Sequence, residues 1–99
     1  MYKISTRDHD KIADYIAEKS RFQTNGALRG EFSYMHGYGT VYSYAEPIAV
    51  YNPETMEATM TSVKFSVTTS RHASTIRRAL DLAGYRVTEV DERLTPHRP

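Results

Sequence analysis

The sequence predicts an α+β domain, a mostly antiparallel sheet of about five strands with two helices packed on it, in the order α-β-β-β-β-α-β. Three observations carry this prediction. Apolar residues recur at helical spacing in two segments, one near each end of the chain. Between them the chain alternates polar with apolar residues and is rich in β-branched and aromatic types. Turn chemistry at Thr24-Asn25-Gly26, His36-Gly37-Tyr38-Gly39 and Asn52-Pro53-Glu54-Thr55 then cuts that middle stretch into hairpin-length runs.

The first helix is predicted over residues 5–20, where Ile12, Tyr15 and Ile16 form an apolar stripe. Ser5 or Thr6 can cap its start, Asp8 and Asp10 oppose the positive end of the dipole, and Lys19 suits the negative end. A first strand follows over 27–35, with Leu28, Phe32 and Tyr34 in one phase against Arg29, Glu31 and Ser33. Residues 40–44 and 48–51 read as the next strands, and Pro47, which cannot donate to a ladder, demands an edge position or a bend at Ala45-Glu46-Pro47. Asn52-Pro53-Glu54-Thr55 makes a hairpin turn. Beyond it Ala58 and Met60 share one phase, and Val63, Phe65 and Val67 share the opposite one, which calls for a bulge or short turn near Thr61-Ser62. The second helix starts on caps from Thr68-Thr69-Ser70, carries Ala73, Ile76, Leu80 and Ala83 inward, and stops at Gly84. Residues 85–90 form a last strand, so residues 1–93 make one domain and 94–99 a flexible tail.

Composition narrows the chemistry. With 99 residues there is room for one core. Eight tyrosines supplement a modest stock of aliphatics. The absence of cysteine excludes disulfides, thiolate nucleophiles and cysteine-ligated metals. Met1-Tyr2-Lys3-Ile4-Ser5 lacks the apolar core of a signal peptide, and no run approaches the ~20 apolar residues of a membrane helix. A cytoplasmic protein without a membrane partner is the expectation. A net charge of +1 gives no overall attraction to nucleic acid, so such binding requires a local patch.

The strongest patch is Ser70, Arg71 and His72 at the start of the second helix, with Arg77 and Arg78 close behind, since free N–H groups and a positive dipole favour an anion there. The competing reading is a capped helix with a solvated basic face and Arg77 paired to Asp81. His9, His36, His72 and His97 show no metal-ligand spacing, and Asp8-His9-Asp10 is explained by first-turn acids, so neither metal nor cofactor is expected. No nucleophile elbow is present, and His36 or His72 as a general base lacks a legible partner group, which argues against an enzyme. Tyr42, Tyr44 and Tyr51 are candidate partner-binding residues on the sheet, where rings serve packing or a protein interface more readily than base stacking.

The segment Val41-Tyr42-Ser43-Tyr44-Ala45-Glu46-Pro47-Ile48-Ala49-Val50-Tyr51, followed by Lys64-Phe65-Ser66-Val67-Thr68-Thr69-Ser70-Arg71-His72, resembles a family of small uncharacterised proteins from bacteriophages of actinobacteria. The likeness covers under half the chain and omits the first helix and last strand. The family has no assigned activity, so what the resemblance implies is a setting, a phage-encoded protein in a bacterial host cytoplasm. The resulting expectation is a non-enzymatic accessory protein that binds a host protein, with nucleic-acid binding through Ser70 to Arg78 as the alternative. A symmetric homodimer across a sheet edge or the tyrosine face is also compatible with a sheet this small.

Overall fold

The computed structural model describes residues 3–95. The chain runs β1 (Lys3–Ile4), α1 (His9–Ala17), β2 (Phe22–Thr24), β3 (Leu28–Ser33), β4 (Tyr38–Ser43), β5 (Glu46–Asn52), β6 (Glu57–Thr61), α2 (Val67–Leu82) and β7 (Arg86–Val90). All seven strands lie in one sheet in sequence order. Strands β2 to β6 form an antiparallel meander, and β1 and β7 extend it at the two edges by parallel pairing. The α+β class holds. The count of five strands is corrected by β1 and β2, which at two and three residues are too short to show an alternation.

The strand directions decide where the helices go. β1, β2, β6 and β7 point the same way, and both helical connections step across the sheet in the same sense. Parallel crossovers are right-handed, so both helices must lie on one face. They pack against each other there, parallel to one another and antiparallel to those four strands. Both N-termini therefore sit at the end of the sheet with the turn at 44–45. Both C-termini sit at the other end, with the hairpin tips at 34–37 and 53–56.

Local chemistry sets the helix ends. Asp8 caps α1 by accepting from the Lys11 N–H at 3.1 Å, so the helix begins four residues later than residue 5 and neither Ser5 nor Thr6 is the cap. Ser66 caps α2 by accepting from the Thr69 N–H at 3.1 Å, which replaces Thr68-Thr69-Ser70 in that role. Both helices close on a Schellman pattern: Lys19 and Gly84 adopt positive φ, and the following N–H groups of Ser20 and Tyr85 return to Tyr15 and Leu80 carbonyls.

Two further expectations change. The strand after the Asn52 turn ends at Thr61, so Val63 and Phe65 belong to the connection into α2 and no bulge is needed at Thr61-Ser62. The register shift lies instead between β4 and β5, where Val41 pairs with Ala49 and Tyr42 with Pro47, leaving Ile48 as the extra residue. That bulge admits Pro47 into an interior strand, not an edge. Of the expected tail, Leu94 and Thr95 line a groove with Val50 and Thr59, while residues 96–99 lie outside the described residues.

The core lies between the inner sheet face and the helices. Phe22, Leu28, Val41, Ala49, Tyr51, Ala58 and Met60 meet Ile12, Ala13, Ile16, Ile76, Ala79 and Leu80. Gly30 and Gly39 are packing glycines: a Cβ at Gly30 would fall inside the Phe22 ring, and one at Gly39 inside the Tyr51 ring. Gly39→Ala is therefore expected to lower unfolding stability by about 1–3 kcal/mol through overpacking. Urea titration checks this, and unchanged stability would mean that the Tyr51 ring can move aside at little cost.

Candidate functional site

The residues singled out on α2 point in four directions. Ser70 and Arg71 are exposed. His72 is buried. Arg77 reaches β7 and forms an ion pair with Glu89, not with Asp81. Arg78 turns toward α1, its Nε 3.2 Å from His9 Nε2. Because Ser66 is the cap, the Ser70 N–H is already bonded to the Ser66 carbonyl at 3.0 Å, and Ser70 presents no free helix-terminal donor. The basic residues that are adjacent in sequence do not converge on one point.

His72 instead anchors a buried polar network. Its Nδ1 lies 2.7 Å from Ser43 Oγ on β4, and Ser43 Oγ lies 3.0 Å from Thr69 Oγ1. Ser66 Oγ donates to Thr69 Oγ1 at 3.1 Å. With Ser66 donating to Thr69, an order that uses each hydroxyl proton once runs Ser66 to Thr69, Thr69 to Ser43 and Ser43 to His72, and it is compatible with an unprotonated Nδ1 on a neutral imidazole. Burial pushes the His72 pKa below its ordinary value, in agreement with that state. The network ties the first turn of α2 to the end of β4 and satisfies polar atoms that burial would otherwise penalise. Sequence periodicity held a signal for it: Ser43 shares the inward phase of Gly39 and Val41, and Thr69, His72, Ile76 and Ala79 share the inward face of α2.

The three candidate tyrosines also separate. Tyr51 belongs to the core at 1% exposure, edge-to-face with Tyr85 at 5.4 Å, so its ring is not available to a partner. Burial raises its pKa far above the usual phenol range, and its hydroxyl has no hydrogen-bond partner among the described residues. Tyr42 is half-buried on the sheet face opposite the helices, under the Arg29 guanidinium at 4.2 Å. Tyr44 is exposed at the turn between β4 and β5, held at φ 59°, with its ring 6.4 Å from that of His72.

Among the described residues, Val67 in the first turn of α2 is exposed at the same end of the molecule as Tyr44, and the other large exposed apolar side chains are at the opposite end. Tyr34 and Met35 stand at the 34–37 tip, Met56 at the 53–56 tip, and Leu82 in the last turn of α2. All four occupy the end of the molecule where both helices terminate. Tyr34 is fixed to it by donating its hydroxyl to the Lys19 carbonyl at 2.8 Å and by stacking edgewise on Phe32. The strand expected over 27–35 ends at Ser33, so Tyr34 leaves the phase it shares with Leu28 and Phe32 in the sequence and joins Met35 at the tip, where periodicity gives no signal. Shallow grooves flank the sheet, including one of about 260 Å³ lined by Lys64, Thr69, Ser70 and Glu89. Among the described residues no three His, Cys, Asp or Glu side chains gather as metal ligands, and no helix is long and apolar enough to cross a membrane.

The His72 network makes stability depend on pH. The folded-state pKa is below the unfolded value of 6.5, so the unfolded chain holds the proton more tightly. The His72 contribution is complete above pH 6.5 and is lost as pH falls from there through the lower folded value. Ser43→Ala removes the partner of Nδ1 and of Thr69, with an expected cost of about 1–3 kcal/mol. Urea unfolding across pH, with the His72 imidazole followed by NMR, checks both. A His72 that titrates at or above its unfolded value would overturn the neutral assignment.

A family model described as a family of unknown function (DUF8033) matches residues 11–90, from α1 through β7. No curated protein and no solved structure matches the chain. With four-fifths of its length inside the match, the chain belongs to this family of unknown function, DUF8033.

Proposed function

We propose that this domain is a non-enzymatic interaction module that docks a protein partner on the end formed by the 34–37 and 53–56 tips and the C-terminus of α2. The observation that carries this reading is the exposure there of Tyr34 at 76%, Met35 at 90%, Leu82 at 52% and Met56 at 38%. Large apolar side chains gathered on one end of a small domain mark a contact surface, and methionine and tyrosine are residue types enriched at such surfaces. The likeness of residues 41–51 and 64–72 to phage proteins supports a phage-encoded accessory protein and a bacterial host protein as the partner, in the host cytoplasm.

Tagged protein applied to actinobacterial lysate, with nuclease treatment as a second arm, tests the reading. Wild type is expected to retain a discrete protein that survives nuclease, and Met35→Asp combined with Leu82→Asp is expected to lose it while the thermal unfolding midpoint stays within a few degrees. Equal retention by the variant would overturn the docking end. Recovery of nucleic acid instead, abolished by Arg71→Glu and weakened by salt, would replace it with the nucleic-acid reading.

A further inference from the structure

We propose that β7 is a dimerisation edge, through which two copies of the chain join their sheets antiparallel about a two-fold axis at Thr88. The two surfaces of β7 differ in what their backbone groups do. On the β6 side, the Arg86 N–H donates to the Met56 carbonyl at 2.9 Å and the Val90 carbonyl accepts from the Ser62 N–H at 2.8 Å. By strand alternation the main-chain groups of Arg86, Thr88 and Val90 are spent on β6, while those of Val87 and Glu89 point out of the sheet. A second β7 in antiparallel register sets Val87 opposite Glu89 of the second copy and Glu89 opposite its Val87. Four N–H···O=C bonds then close around the Thr88 pair, and no outward group of the strand is left over.

The same register keeps the faces in order. Val87 and Glu89 lie on the helix side in both copies, Arg86 and Thr88 on the opposite side in both, as a two-fold axis perpendicular to the sheet requires. Charge selects the direction. Antiparallel pairing brings the Arg86 end of one strand, where the exposed guanidinium also lies 3.7 Å from Glu57, to the Asp91-Glu92 end of the other, whereas parallel pairing sets like charges together. The edge also lacks the usual defences. Residues 86–90 contain no lysine, proline or glycine, and their one inward-facing charge, Glu89, is neutralised by Arg77. Past β7 the chain turns away from the edge. The Glu92 carbonyl accepts from Thr61 Oγ1 at 2.6 Å and Arg93 reaches Glu46 at 3.3 Å, so the segment crosses toward β5 and β6, and among the described residues no strand pairs with the outer edge of β7.

A contact limited to one five-residue strand belongs to the weak end of interfaces, so association should grow across a concentration series. Sedimentation equilibrium of the purified chain is expected to move from the mass of one chain toward two. Thr88 is exposed and faces its own copy across the axis, so Thr88→Glu and Thr88→Lys should each remain single chains with unchanged circular dichroism. Mixing the two variants in equal amounts should restore the two-chain species, which a folding defect could not do. A wild type that stays a single chain into the millimolar range, or a Thr88→Glu variant that associates as wild type does, overturns the proposal. The edge is separate from the end proposed to hold a protein partner, so either surface can fail alone.

Discussion

Two aromatic rings lying over two glycines set the geometry of this sheet. Phe22 on β2 covers Gly30 on β3, with which it is directly paired, and Tyr51 on β5 covers Gly39, its partner on β4. A side chain at either glycine would occupy the volume of the ring. The rings thus lie flat across neighbouring strands and do the work of two residues each in a thin core, which suits a chain with few large aliphatics. A slip of one residue between β4 and β5 would move Tyr51 off Gly39 and expose it, so this packing also fixes register. The bulge at Ile48 follows as a local consequence. It returns Pro47 to the outer face while leaving the Tyr51 and Gly39 pairing intact.

The second constraint is chirality. Because both edge strands enter by right-handed crossovers in the same sense, the helices cannot be placed one on each face. The result is a two-layer molecule with parallel helices, whose dipoles add instead of cancelling. Asp8 and Ser66 answer the N-terminal ends. Schellman turns answer the C-terminal ends, and no basic side chain occupies the last turn of either helix. The uncovered sheet face is left to polar and semi-polar groups: Arg29 over Tyr42, Glu31 beside Arg29, Thr40 between the tyrosines of β4. Its apolar portion, around Val50 and Thr59, is met by Leu94 from the segment that follows β7.

What the sequence revealed tracks how local each determinant is. The inward face of α2 and its stop at Gly84 depend on a 3.6-residue period and one left-handed glycine, and both are visible in the chain itself. The Asn52 turn is equally local: the Asn52 side chain accepts from the Glu54 N–H at 2.9 Å. The strands β1 and β2 exist only because a neighbour supplies their hydrogen bonds, and nothing in Lys3–Ile4 or Phe22–Thr24 announces that. The start of α1 is ambiguous in the sequence because Ser5, Thr6 and Asp8 are all good caps. Ser5 is used in the preceding turn, where its carbonyl accepts the Asp8 N–H and its hydroxyl accepts the Arg7 N–H. For the candidate site, residue type was a poor guide to direction. Arg71, His72, Arg77 and Arg78 are neighbours in sequence but face solvent, core, β7 and α1 in turn, since each residue of a helix rotates about 100° from the last.

The tyrosines make the same point for surfaces. Tyr51 and Tyr85 are buried, Tyr15, Tyr38 and Tyr42 are half-buried, and Tyr34 and Tyr44 are exposed at turns. Composition alone suggests an aromatic face, but among the described tyrosines the strand positions use their rings for packing and the turn positions leave rings outside. The proposed contact surfaces are accordingly the tip end and the β7 edge, not the faces of the sheet. The inner face is filled by helices and the outer face is occupied by Arg29 and the segment after β7. A hairpin tip can carry an exposed methionine without disturbing a ladder, and an edge strand can spend half its backbone on a partner without unfolding, because neither group contributes to the ring-over-glycine packing that holds the sheet.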